Sequence, residues 1–287
     1  MNNMKKAIAV LFMSYFSLLL IGQSPFPSKE EIQEFSESTT YVVLEDDPLA
    51  DFNFYIRDAM KEYWEITPYD FMSVSDFNVR RISSSNSFIV LTETNYEKDK
   101  AHTVYNFINL LLGKDVDQLG EMPEICAIPL SYVGEVEDEY GYKLGAVLSF
   151  MQKHARLIME DPSKTGRKYL KYYNENIPSI KGKTILVKQE DLSTEINTIS
   201  KINDIYSNEV QIVPEEEIVK AIQEKTPNTL ILHKVSPPGE NVREGYCFKM
   251  LIGTDDANMY YYDMHTIDKK HPNGLLASDL KRLARFD

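Results

Sequence analysis

Apolar residues fall along this chain in short runs and helical stripes, and the same alternation occurs twice. Tyr41-Val42-Val43-Leu44 is a compact apolar run of the kind presented by a strand covered on both faces. Asp47-Pro48 then predicts a helix cap with proline in the first turn. Phe52, Tyr55, Ile56, Ala59, Met60 and Tyr63 recur at the spacing of one helix face. The run 66–72 predicts a strand that Pro68 restricts to an edge or a strand start. Ser73, with Asp76 three residues on, predicts a short capped helix. Runs at 88–91, 105–112 and 125–133 predict three more strands, and Leu144, Val147, Leu148, Met151, Ala155 and Ile158 share one face of a closing helix.

After a joint at 161–182 the pattern restarts. Residues 184–187 match 41–44, and Asp191 or Ser193 is expected to cap a helix bearing Ile196, Ile199, Ile202 and Tyr206. Residues 210–213 predict a strand, and Pro214-Glu215-Glu216-Glu217 opens a helix with acids at the end of the dipole that favours them. Residues 230–232 match 88–91, 246–252 and 259–267 predict a hairpin, and Leu276, Leu280 and Leu283 line a final helix. Tyr105, Phe107 and Gly113 return as Tyr246, Phe248 and Gly253, offsets of 141, 141 and 140 residues. Both halves therefore read β-α-β-α-β-β-β-α. Helical crossovers imply parallel pairing of the first strands, and short loops imply antiparallel pairing of the last three. The expected fold is α/β with a mixed sheet (α+β in character) in two tandem duplicated units. The expected division is a signal peptide at 1–23, a leader at 24–39, a first unit at 40–160, a linker at 161–182 and a second unit at 183–287.

The start of the chain changes the picture of where it works. Lys5 and Lys6 precede an apolar run at 7–21 broken only by Ser14 and Ser17. A transmembrane helix needs about 20 apolar residues, so this run suits a cleaved secretory signal better; an uncleaved anchor is the alternative. No cysteine there supports a lipid anchor. The expected location is the periplasm or outside the cell, with no membrane insertion after leader removal. The formal charge of −13 argues against nucleic acid, whose phosphates need a basic footprint. Cys126 and Cys247 are the only cysteines. Two thiols in an exported chain permit one disulfide, but both lie in strand-like apolar runs where buried free thiols are common.

The element order of 40–160 and again of 183–285 resembles the amino-terminal domain of TolB and its relatives, LpoB and the periplasmic part of the curli secretion channel. No propeller repeat or lipobox cysteine accompanies it here, and the unit occurs twice. The resemblance implies an envelope protein that binds other proteins without catalysis. The leader with Gln23-Ser24-Pro25 and the Tyr/Asn/Lys-rich composition also resembles exported proteins of the Bacteroidetes.

Candidate chemistry is sparse. His233 ends an apolar strand, and Asp263 and His265 share one face of another. Convergence of the three would give a site for a divalent metal or for acid–base work; the competing reading is a strand face with a His–Asp hydrogen bond. His102, His154 and His271 read as surface residues. The acidic run Glu135, Glu137, Asp138 and Glu139 lacks the ligand alternation and central glycine of a calcium loop and reads as solvated. No nucleophile elbow, Walker sequence or dinucleotide fingerprint occurs, and nothing implies a cofactor. Eighteen tyrosines include the clusters Tyr169, Tyr172, Tyr173 and Tyr260, Tyr261, Tyr262. These offer either a binding surface for protein or glycan or simply core. The chain thus reads as an exported non-catalytic binding or scaffold protein with another envelope protein as partner. The alternative is an envelope hydrolase using His233, Asp263 and His265.

Overall fold

In the computed structural model of the chain, residues 25–286 are described apart from 98, 100, 137, 167, 168, 239–241 and 243. The expected signal segment lies outside the described residues. Two five-stranded mixed sheets carry the fold. The first runs β2 (Tyr69–Met72), β1 (Thr39–Val43), β3 (Asn86–Asn95), β4 (Val104–Leu112) and β5 (Glu124–Tyr132) across its width. The second runs β7 (Val210–Ile212), β6 (Thr184–Val187), β8 (Thr229–Val235), β9 (Tyr246–Gly253) and β10 (Met259–Thr266). In both, the first strand pairs parallel with its two neighbours and the last three are antiparallel. The Tyr-x-Phe repeat therefore sits on β4 and β9, the corresponding strands of the two sheets.

Helices fill the crossovers as the apolar stripes require. α1 (Lys29–Phe35), with a capping box from Ser28 and Glu31, precedes the first sheet. α2 (Asp51–Tyr63) buries Phe52, Ile56, Ala59 and Met60, and α3 (Val74–Arg80) starts at the Ser73 cap. The short α4 (Asp138–Gly141) leads into α5 (Leu144–Glu160), whose expected face is wholly buried. α6 (Tyr169–Tyr172) and a 3-10 stretch, Tyr173–Ile180, join the units. α7 (Ile199–Asn203), α8 (Glu215–Gln223) and α9 (Ala277–Leu283) serve the second sheet. Two expected helix starts differ. Asp47-Pro48 lies in a turn, where Asp47 accepts from the Leu49 amide, and the helix begins at Asp51. α7 starts only after Thr198, whose hydroxyl accepts from the Lys201 amide. Asp191 is drawn instead to Lys234.

The two units share a core. One cluster joins Phe52, Ile56 and Met60 of α2, Val147, Phe150 and Met151 of α5, Ile218 and Ile222 of α8, and Phe248, Met250 and Ile252 of β9. The opposite face of the second sheet packs Val187, Leu230, Leu232 and Leu251 under Ile202, Leu280 and Leu283. Each large apolar side chain taken from water into such a core contributes about 1.5–3 kcal/mol. The Tyr105 hydroxyl accepts from the Tyr246 amide at 2.7 Å and donates to the Tyr246 carbonyl at 3.2 Å. This close approach needs a glycine next door. Gly245 has φ +103°, and a Cβ there would lie 3.1 Å from the same hydroxyl.

Candidate functional site

The second sheet separates the three residues singled out from the sequence. Across β9, His233 lies opposite Met250, whereas Asp263 lies opposite Lys249 and His265 opposite Cys247. Met250 and Lys249 are consecutive, so His233 points to one face and the other two to the reverse. β8 and β10 are also two strand spacings apart, about 10 Å. The expected convergence therefore does not occur. Each side chain has a structural bond instead. His233 is 1% exposed and bonds the Pro129 carbonyl of β5 through Nε2 at 2.9 Å. Burial, then the charge of Lys143, pushes its pKa down to about 4. Asp263 pairs with the fully buried Lys249 at 3.1 Å. His265 Nε2 bonds the Pro272 carbonyl at 3.0 Å, and burial lowers its pKa. Among the described residues no group of three or more His, Cys, Asp or Glu side chains could hold a metal ion.

The other sequence candidates also resolve mainly into core. His154, expected at the surface, is 2% exposed and its Nδ1 lies 2.7 Å from the Tyr173 hydroxyl. It faces inward because it belongs to the buried side of α5. Tyr173, Tyr260 and Tyr261 are buried, Tyr172 and Tyr262 half-buried, and the Tyr169 side chain lies outside the described part. No broad exposed tyrosine surface arises from those described. Tyr261 donates to Asp279 at 2.6 Å, and Tyr260 donates to Asp256. Cys126 and Cys247 are both free and buried.

What the sequence did not single out is a cleft of about 520 Å³ at the junction of the units, lined by seven acidic and basic residues among others. The first unit lines it through the loop after β5, α4 and the start of α5. The second unit lines it through the segments after β6 and β8 and the loop before α9. Three lysines reach it. Lys188 Nζ is held by Glu190 at 2.8 Å, Glu139 at 3.2 Å and Glu215 at 3.3 Å. Burial opposes its charge, but these carboxylates win and raise its pKa. Lys234 pairs with Asp191 at 3.1 Å and also donates to the Glu190 carbonyl. Burial works against the Asp191 carboxylate, and the charges of Lys143 and Lys234 overcome it, lowering its pKa.

Lys143 differs. It is 3% exposed, burial lowers its pKa, and no carboxylate among the described residues lies within 4.0 Å of its ammonium. Its Nζ lies over the Tyr142 ring, 5.1 Å from the centroid. Glu135 is its counterpart. Its one described hydrogen bond is from the Tyr132 amide at 3.3 Å, and it takes part in no described ion pair. Burial pushes its pKa up to about 7. On the same wall Asp191 Oδ2, Ser236 Oγ and Asn273 Oδ1 are buried without a partner among the described groups. One sequence signal did exist: Lys143 stands immediately before Leu144, where the buried face of α5 begins.

No known family, curated protein or solved structure matches the chain. Acids and bases with shifted pKa values gathered in one concavity are characteristic of binding and catalytic sites.

Proposed function

We propose that the protein is an exported, non-catalytic binding protein of the cell envelope that holds its ligand between its two units and works with another envelope protein. The observation that carries this reading is the cleft walled by both units, with Lys143 and Glu135 left outside its ion pairs. Ligand sites favour such junctions between packed units, and the volume falls within the range of about 300–1,000 Å³ usual for small-molecule sites. The pattern at 1–23 and the resemblance of each half to envelope domains support the location. The hydrolase alternative draws no support from the geometry, because His233 faces away from Asp263 and His265.

The test is retention without conversion. Purified protein is incubated with the small-molecule fraction of cell envelope, recovered by gel filtration and analysed by mass spectrometry. A compound retained in stoichiometric amount and chemically unchanged is expected. Steady release of an altered product contradicts the reading.

A further inference from the structure

We infer that the cleft takes a small zwitterion, an amino acid or dipeptide, with its carboxylate on Lys143 and its ammonium on Glu135. This rests on the binding reading above and names the ligand class. Lys188 is enclosed by Glu139, Glu190 and Glu215, and Lys234 by Asp191. Those charges are paired within 4.0 Å, and Lys143 feels Asp191 and Glu135 only from beyond that distance. One ammonium, Lys143, and one carboxylate, Glu135, line the same cavity, are farther than 4.0 Å from each other, and have no ion-pair partner among the described residues.

An isolated buried charge is costly unless paired. Lys143 is more than nine-tenths buried, so an anionic oxygen beside it gains a charge-assisted bond in a poorly solvated place. A ligand bearing only negative charge meets Glu135, Glu139, Glu190 and Asp191 around the same space. A ligand bearing only positive charge meets three lysines. A molecule with one charge of each sign fits both leftovers. The buried acceptors Asp191 Oδ2 and Asn273 Oδ1 extend the polar wall on the side of the second unit.

The experiment is isothermal titration of the purified protein at neutral pH with the standard amino acids singly, glycylglycine and alanylalanine. Acetate, methylammonium and inorganic phosphate serve as single-sign controls. At least one zwitterion is expected to bind saturably, and each control at least tenfold more weakly. Lys143→Met should weaken that binding by about ten- to hundredfold, the usual effect of losing a charged hydrogen bond. Glu135→Gln, at the half-buried side of the cleft, should weaken it about tenfold with an unchanged circular dichroism spectrum and a melting temperature no lower than the parent's, which covers the case in which Lys143→Met fails to fold. No binding by any zwitterion, equal binding of acetate, or unchanged affinity in Glu135→Gln overturns the ligand assignment. Conversion of a bound probe to product during the titration overturns the non-catalytic reading instead.

Discussion

The Tyr105 hydroxyl bonds both backbone groups of Tyr246, the residue that occupies the corresponding position in the other unit. It does so just beyond the last β8–β9 pair, Val235 with Phe248. Phe107 and Phe248, the second aromatics of the repeat, also meet edge to face with centroids 5.9 Å apart. The repeated motif is thus part of the contact that fastens the units together.

Replacing Tyr105 with Phe keeps the ring and strips the hydroxyl. The buried Tyr246 amide and carbonyl then lose their shared partner, for a loss of about 1–3 kcal/mol. Denaturant unfolding measures it. An unchanged midpoint would remove this bond from the account of the interface.

Acid should loosen the same interface. His154 and His233 both have a folded pKa of about 4 against an ordinary 6.5, with burial as the main cause. The unfolded chain binds more protons between these values, so stability is present above about pH 6.5 and is lost as pH falls through 4. Each imidazole contributes on the order of 3 kcal/mol to that loss. Unfolding measured from pH 7 to pH 4 should show the slope, and a His154→Gln, His233→Gln double variant should flatten it.

Glu135 pulls the other way. Its folded pKa is raised to about 7 from an ordinary 4.5, so the folded chain holds the extra proton in that window and stability falls as pH rises through it. Glu135→Gln should therefore raise stability at neutral pH and steepen the gain in stability between about pH 5 and 7. A variant whose pH profile overlays the parent would contradict the burial of this carboxyl.

The buried network on the far face of the second sheet is structural. Lys249 is 0% exposed and bridges Asp279 at 2.6 Å and Asp263 at 3.1 Å, while Tyr261 and the Leu276 amide also donate to Asp279. Lys249→Ala leaves the buried Asp279 carboxylate without its cation and should cost about 3–5 kcal/mol. A cycle of Lys249→Met with Asp279→Asn should show a coupling of about 1–3 kcal/mol.

Element order and most helix faces were readable because a core-facing position must be apolar at a fixed period, and pairing sense followed from the helical or loop connections. Pro68 limited β2 to an edge or a strand start, and β2 is an edge strand that begins just after it. Cap residues were less reliable. Asp191 looked like a cap by type and place, but the largely covered Lys234 offers it a stronger partner than a helix end does. The cleft was hidden for a different reason. Glu135, Lys143, Lys188, Asp191 and Lys234 are scattered over some hundred residues, and charged side chains in loops look solvated until topology folds them together. Tyr260–Tyr262 and the His233, Asp263 and His265 set drew notice by residue type, yet alternation along β8 and β10 sends their members to different faces.

Hydrogen–deuterium exchange with and without the small-molecule fraction of cell envelope tests the central claim most directly. The account predicts that one ligand slows exchange on both walls at once, in residues 132–143 of the first unit and 188–197 of the second. Protection confined to one unit, or to surfaces away from the cleft, would contradict it.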